Sequence, residues 1–178
     1  WFDAINHAFA TISTGGFSTK NTSLAGFSDG VVWTTTFFMV ISGINFLAHI
    51  RFFNGDKTAF NTEENKWYIG LIFFLAFAMA LEHSITSENS FYNSLMHSFF
   101  TVATLASTTG FASLDYEKWG QFTMMIVILA MMMSANAGST AGGIKMIRYV
   151  LFFKNIALEI KRTIQPDVIT SIFVDGKQ

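Results

Sequence analysis

The sequence predicts an all-α membrane protein, built from repeated units of short helix, re-entrant pore loop and spanning helix, with the last spanning helix broken. Three observations carry this. Of the 178 residues 51% are apolar, 21 are phenylalanine and only 13% are charged, against roughly 25% charged in soluble proteins. The stretch Ser107-Thr108-Thr109-Gly110-Phe111-Ala112 has an earlier near-copy, Ser13-Thr14-Gly15-Gly16-Phe17-Ser18. Each copy follows an apolar segment too short to cross a bilayer and precedes one long enough. Finally, the last apolar stretch is interrupted by Asn136-Ala137-Gly138-Ser139-Thr140-Ala141-Gly142-Gly143.

The same composition sets bounds. A net charge of −1 offers no basic surface for nucleic acid, and the absence of cysteine excludes disulfides and thiolate metal sites. The chain opens at Trp1 inside an amphipathic segment, without a charged-then-apolar leader. It reads as a piece of a longer polypeptide, because an ion pathway needs walls on all sides and two loops supply part of a ring.

Taken in order, Phe2 to Ile12 suits a re-entrant or interfacial helix, and His7 on it reads as a packed or interface residue. Lys20 to Gly30 is polar and glycine-punctuated, so it is expected in water. Val31 to Ile50 is expected as one full span, with Thr34 to Thr36, Ser42 and Asn45 facing other helices or a conduit. Gly43 suits close helix contact, and Asn45 reads as an interhelical contact ahead of an ion ligand. Arg51 to Lys66, with the turn signature Asn54-Gly55-Asp56, is expected as a solvent loop. Trp67 and Tyr68 then stand where an interfacial aromatic anchor belongs, and Trp67 to Leu81 is the second span. Glu82-His83 reads as a solvated helix end rather than a metal site. Asn89 to Ala106, helical from Phe91, leads into the second loop, and Trp119 in the polar connection Leu114 to Gln121 is expected as an interface anchor.

Phe122 to Ala135 and Ile144 to Phe153 form one long apolar helix around the glycine-rich break. Unpaired backbone groups in hydrocarbon cost roughly 2–7 kcal/mol each, so the break must line a protein-enclosed or watery cavity. Such a break is a natural movable element. Lys145 beside it is either a snorkelling residue at the cytoplasmic end or a charge that obstructs cations.

The Gly/Thr loops read as sites where backbone carbonyls replace the water that a cation sheds. Glycine allows the left-handed conformations this needs, threonine hydroxyls can hold neighbouring groups, and the C-terminal ends of the preceding helices favour positive charge. Ordinary turns between helices are the alternative. Orientation supports the first reading: the segments placed inside, Arg51 to Lys66 and Lys145 onward, carry nine of the eleven lysines and arginines. Both loops then lie on the outer side, beside Asp3, Asp29, Glu82, Glu88, Asp115 and Glu117, which form either a solvated face or a cation-gathering vestibule.

The unit repeats. The loops align at an offset of 94 residues, pairing Ser13 with Ser107, Thr14 with Thr108, Gly16 with Gly110 and Phe17 with Phe111, whereas the preceding helices match better at 90, through His7 with His97. Because Gly15 faces Thr109 in this alignment, the loops look like distinct walls of one pseudo-symmetric pore. His7 to Thr19, Gly43-Ile44-Asn45-Phe46, Ser107 to Ala112 and Ala137 to Lys145, in this order, resemble the Trk/Ktr/HKT superfamily of potassium transporters, and the likeness covers essentially the whole chain.

That resemblance implies four outer-helix, pore-loop, inner-helix repeats around one K+ pathway, in a K+-channel-like fold. Residues 1–53 would be the pore loop and inner helix of the second repeat, 54–66 a cytoplasmic loop, 67–165 the third repeat and 166–178 a cytoplasmic connector. By the same resemblance Thr14, Gly15, Gly16, Thr108, Thr109 and Gly110 would be filter residues holding K+. Gly138, Ser139, Thr140, Ala141, Gly142 and Gly143, with Lys145, would form the gate. The setting it implies is a multi-pass homodimer in the bacterial inner membrane, coupled to a cytosolic nucleotide-binding regulatory subunit (TrkA-like), with no cofactor in this chain. K+ versus Na+ selectivity, and channel versus symport, stay open. An enzyme reading would need Gly138 to Lys145 to be a phosphate loop, but Ile144 stands where lysine is required. A structural membrane subunit, or a secondary transporter with a substrate at the broken helix, is the remaining alternative.

Overall fold

The computed structural model describes residues 1–86, 90–165 and 172–174. Its elements are α1 (Phe2–Ile12), α2 (Asp29–Ser42), α3 (Phe46–Phe53), α4 (Glu63–Thr86), α5 (Phe91–Ala106), a 3-10 turn (Tyr116–Lys118), α6 (Gln121–Met132) and α7 (Met146–Ile164). The short helix α5 is the hub. Its Val102 and Ala106 join a core with α4, α6 and the start of α7, while its Met96, Phe100 and Ala103 join a second core with α1, α2, Leu24 and Phe111. The outer surface is the reverse of a soluble protein's, since Phe37, Phe38, Phe73, Phe74, Met125, Ile128 and Met131 are exposed. Helices that are apolar on their outer faces as well as within belong in lipid or beneath further membrane helices.

The helices Phe2–Ile12 and Phe91–Ala106 lie where the sequence places them. The expected Val31 to Ile50 span does not form a single rod: α2 and α3 meet at 95°. Gly43 and Asn45 are the cause. Asn45 caps α3 by accepting the Leu47 N–H at 2.8 Å, and Gly43 leaves room for Tyr68, whose hydroxyl donates to the Val40 carbonyl at 3.4 Å. The hydroxyls of Thr34, Thr36 and Ser42 turn back onto carbonyls of their own helix, which removes the cost of carrying them in an apolar segment. Tyr68 is therefore wholly buried rather than an interfacial anchor, while Trp67 beside it is exposed.

Other expectations are corrected by packing. The second span begins at Glu63, not Trp67, and Asn65 inside the expected solvent loop is buried. The Asn54-Gly55-Asp56 turn forms, with Gly55 at φ 96°. Leu24, in the segment expected in water, is fully buried beside α5. His83 is not a solvated helix end: its ring stacks on Trp119 at 3.8 Å and its Nδ1 meets the Ser94 hydroxyl at 2.9 Å. Trp119 is accordingly buried and no interface anchor. By length and composition Glu63–Thr86 is the one described helix able to cross a membrane alone, and the bent α2–α3 pair is a candidate for a second, broken span. Glu88 and the connector from 166 to 171 and beyond 174 lie outside the described residues.

A Cβ at Gly43 would sit 2.0 Å from the Tyr68 hydroxyl. Gly43→Ala is expected to lower stability by about 1–3 kcal/mol, measured by thermal unfolding in detergent. Adding Tyr68→Phe removes the closest clash, so the double variant should lose less than the two single losses summed.

Candidate functional site

The two Gly/Thr loops have the same backbone design. Ser13 closes α1 at φ −77° and Thr14 follows at 51°; Gly15 returns to the ordinary side and Gly16 stands at 66°. In the second loop Ser107 at −81° is followed by Thr108 at 56°, and Gly110 stands at 88° after an ordinary Thr109. Alternation of hand turns successive N–H groups to one side. They converge on the helix just ended. The Ala10 carbonyl accepts the N–H of Gly15 at 2.8 Å and of Gly16 at 3.5 Å. Thr104, at the equivalent place 94 residues on, accepts the Thr109 N–H on its carbonyl at 2.9 Å and the Gly110 N–H on its hydroxyl at 3.0 Å. Because C=O opposes N–H in a trans peptide, the carbonyls of Thr14, Gly15, Thr108 and Thr109 are directed away from their helices.

Two of the left-handed residues are threonines, which the sequence reading credited only with hydroxyls. A β-branched residue there costs roughly 1–2 kcal/mol. Each hydroxyl is engaged: Thr14 Oγ1 donates to the Ser13 carbonyl at 2.8 Å, and Thr108 Oγ1 accepts the Gly142 N–H at 2.8 Å.

The loops touch. A Cβ on Gly16 would lie 2.0 Å from the Thr109 carbonyl oxygen, so only glycine admits this approach, whereas a Cβ on Gly110 would meet nothing within 4 Å. The segments leaving the loops are also tied, by the Leu24 N–H to the Ala112 carbonyl at 2.9 Å and the Ala112 N–H to the Ser23 hydroxyl at 3.1 Å. The conflict between the two repeat offsets has a geometric answer. Both histidines brace the chain leaving their own loop, His7 at the Ser18 hydroxyl (2.8 Å) and His97 at that of Ser113 (3.0 Å). The second histidine stands four residues farther from its helix end, so the second unit carries one more turn between brace and loop.

Met133 to Lys145 breaks the last inner helix, as the glycines led one to expect, and forms a closed intramembrane loop. Its neck is tied by the Ser134 N–H to the Ile144 carbonyl at 3.3 Å and the Met146 N–H to the Ala135 carbonyl at 3.2 Å. It interlocks with the α2–α3 elbow: the Asn136 N–H reaches the Gly43 carbonyl and the Phe46 N–H the Gly138 carbonyl, both at 3.0 Å. Gly138, at φ 77°, packs so close to Asn45 that a Cβ would be 2.9 Å from its amide. From the other side Glu64 Oε1 accepts the Ala137 N–H at 2.7 Å and the Ile147 N–H at 3.1 Å, and Asn136 donates to Asn65. At its tip the loop meets the end of α1 and the second Gly/Thr loop, with Thr140 Oγ1 donating to the Ile12 carbonyl at 3.1 Å and Gly142 bonded to Thr108 as above. Ser139 and Ala141 lie between these contacts; the Ser139 hydroxyl donates to the Asn136 carbonyl at 2.7 Å. Lys145 turns its ammonium onto the Ala141 carbonyl, while Ser134 donates to Gly142.

The structure thus brings Thr14 to Gly16, Thr108 to Gly110 and Gly138 to Gly143 into one contiguous assembly. The acidic residues are more dispersed. Asp3 is bonded to Thr19 at 2.6 Å, Glu82 to Thr123 at 2.5 Å, and Asp115 is paired with Lys118 at 3.0 Å, which holds its carboxyl below the usual range. Among the described residues no group of three or more His, Asp or Glu is placed to hold a metal ion. Glu64 and Asn65 were missed because their charge and polarity assigned them to a solvent loop.

The helical fold with its paired Gly/Thr loops is that of a membrane transport family rather than of an enzyme. The chain belongs to the TrkH family of cation transport proteins, whose family model matches residues 1–178. It is 34% identical over 177 residues to the Trk system potassium uptake protein TrkH of Escherichia coli K12, covering 96% of this chain and 36% of that protein. It is 28% identical over 179 residues to the TrkG protein of the same strain, covering 99% and 37%. The crystal structure of the potassium transporter TrkH from Vibrio parahaemolyticus superposes with a TM-score of 0.92 at 31% identity, covering 99% of this chain and 39% of that one. The chain spans little more than a third of the length of the relatives it matches.

The two glycines should respond differently to alanine. Gly16→Ala meets both a carbonyl and an unfavourable φ, whereas Gly110→Ala meets only the latter, roughly 1–2 kcal/mol. Thermal stability of the full-length protein should therefore fall more for Gly16→Ala.

Proposed function

We propose that this chain supplies two walls of the ion pathway in the pore-forming subunit of a potassium uptake system. Residues 1–53 serve as the pore loop and inner helix of one repeat and 67–165 as the whole of the next, joined by 54–66. The single observation that carries this is the alternating hand of Ser13 to Gly16 and Ser107 to Gly110, which sends the loop carbonyls away from the helices. Carbonyls held in this way replace the hydration shell of a weakly hydrated monovalent cation without reorganising as it arrives. The C-terminal ends of α1 and α5 add a favourable field for positive charge. Thr14, Gly15, Gly16, Thr108, Thr109 and Gly110 act as the filter. The relatives' role in potassium uptake favours K+ as the ion.

Below the filter, Gly138 to Gly143 act as the gate. The loop is bonded through Thr140 to the end of α1, where the first filter loop begins, and through Gly142 to the second filter loop, so an ion leaving the filter meets it first. The Lys145 ammonium, drawn onto the Ala141 carbonyl, adds a positive charge to that obstruction. The remaining walls belong to the rest of the polypeptide, in a homodimer of the bacterial inner membrane regulated by a cytosolic nucleotide-binding subunit (TrkA-like).

Two flux measurements on the full-length protein in vesicles test this. Gly110→Val should cut K+ uptake by at least about tenfold, the equivalent of 1.4 kcal/mol, while the protein still reaches the membrane. Wild-type flux from that variant would leave a scaffold or a broken-helix transporter as the better reading. Deleting residues 138–143 should raise basal K+ flux, and tightly regulated flux after the deletion would remove the gate from that loop.

A further inference from the structure

Glu64 stands at the start of α4, far in sequence from the loop it touches, and a single oxygen of its carboxylate accepts two backbone N–H groups. One belongs to Ala137, where the intramembrane loop begins; the other to Ile147, in the first turn of α7, where the loop has ended. The second bond also satisfies one of the unpaired donors at a helix start, and the positive end of α7 favours an anion there. Next to it, Asn65 takes the Asn136 amide and anchors itself on the Phe60 carbonyl at 3.0 Å. Both ends of the loop therefore converge on one side chain, whereas its tip is held by two hydroxyl contacts, one to the end of α1 and one to the second filter loop.

We propose that Glu64 is a positioning residue for the gate, pinning both ends of the intramembrane loop so that its tip stays against the filter loops. The inference rests on the reading of 138–143 as a gate. A carboxylate suits the task because its hydrogen bonds to N–H are charge-assisted and stronger than neutral ones in an apolar setting. With the anchor removed, the loop ends drift, the contacts of Thr140 and Gly142 lapse more often, and the path beneath the filter is less often obstructed.

Basal K+ flux through the full-length protein should rise by about tenfold in Glu64→Ala. Glu64→Asp, which retracts the oxygen by one methylene, should behave similarly, while Glu64→Gln, which keeps an acceptor oxygen in place, should leak distinctly less. This chain has no cysteine, so Ala141→Cys reports directly on the loop: buried in the anchored state, it should react faster with a water-soluble thiol reagent when combined with any leaking Glu64 variant. Should Glu64→Ala fail to reach the membrane, the Asp and Gln variants carry the same comparison.

Wild-type basal flux and unchanged Ala141→Cys reactivity, alongside a leaking 138–143 deletion, would overturn the anchor and leave the gate standing. If the deletion is silent as well, the gate reading itself falls. A Glu64→Gln or Glu64→Ala leak with no rise in Ala141→Cys reactivity would also overturn the proposal, since the charge beside Lys145 and not the anchoring of the loop ends would then be responsible.

Discussion

Every non-helical stretch of this chain at membrane depth has to find hydrogen-bond partners without water, and that requirement shapes the whole structure. The Gly/Thr loops meet it by folding their N–H groups back onto Ala10 and Thr104. This leaves carbonyls facing the other way, so under the proposed reading the arrangement that satisfies the donors also produces the cation-facing surface. The intramembrane loop cannot do the same, because its neighbours are helix flanks. It draws partners from elsewhere: the Gly43 carbonyl, the Glu64 carboxylate and the Thr108 hydroxyl. Of these the Gly43 bond crosses between the two repeats, adding to the packing of α5 against α1 and α2 that joins them.

The two units are alike where backbone chemistry demands it and different where packing allows. At the loops the 94-residue correspondence holds in the order of backbone hands, down to a left-handed threonine in the same place. Away from them it relaxes by a helical turn, with His7 and His97 still bracing the exit of each loop through a serine hydroxyl. Side-chain surroundings diverge further. Phe111 is buried against His7, whereas Phe17, its counterpart, is 80% exposed. Under the proposed reading, a filter built from such halves shares one backbone design while its packing differs between them.

Much of this was legible from the residues. Short apolar segments ending in Ser-Thr-Gly or Ser-Thr-Thr-Gly gave the two re-entrant helices to the residue, because length and glycine act locally. The glycine-rich break was legible for the same reason. The 95° bend was not, although Gly43 and Asn45 are a helix stop followed by a helix cap, because an unbroken apolar run hides a change of direction. Charge misled at Glu64 and Asn65, and aromatic identity misled at Tyr68 and Trp119. In each case a residue typical of an interface or of water was drawn inside by a partner that only the fold supplies.

The distribution of bonds over the intramembrane loop bears on which part can move. Its neck and its contact with the α2–α3 elbow use backbone pairs, with Gly43, Gly138 and Asn45 packed too closely for a side chain to intervene. Backbone pairs in an apolar setting are costly to break, since each leaves two unsatisfied groups. The contacts of the tip with the end of α1 and with the second Gly/Thr loop depend instead on the hydroxyls of Thr140 and Thr108, groups that rotate and find other partners. Under the proposed reading, opening is therefore a displacement of the tip, residues 140–143, about a neck and elbow that stay together. Because Gly142 bonds the very threonine held in a left-handed conformation, that displacement also removes a contact supporting the strained residue. The gate and the filter are then linked at Thr108, so moving the tip alters the support of the filter as well as clearing the path below it.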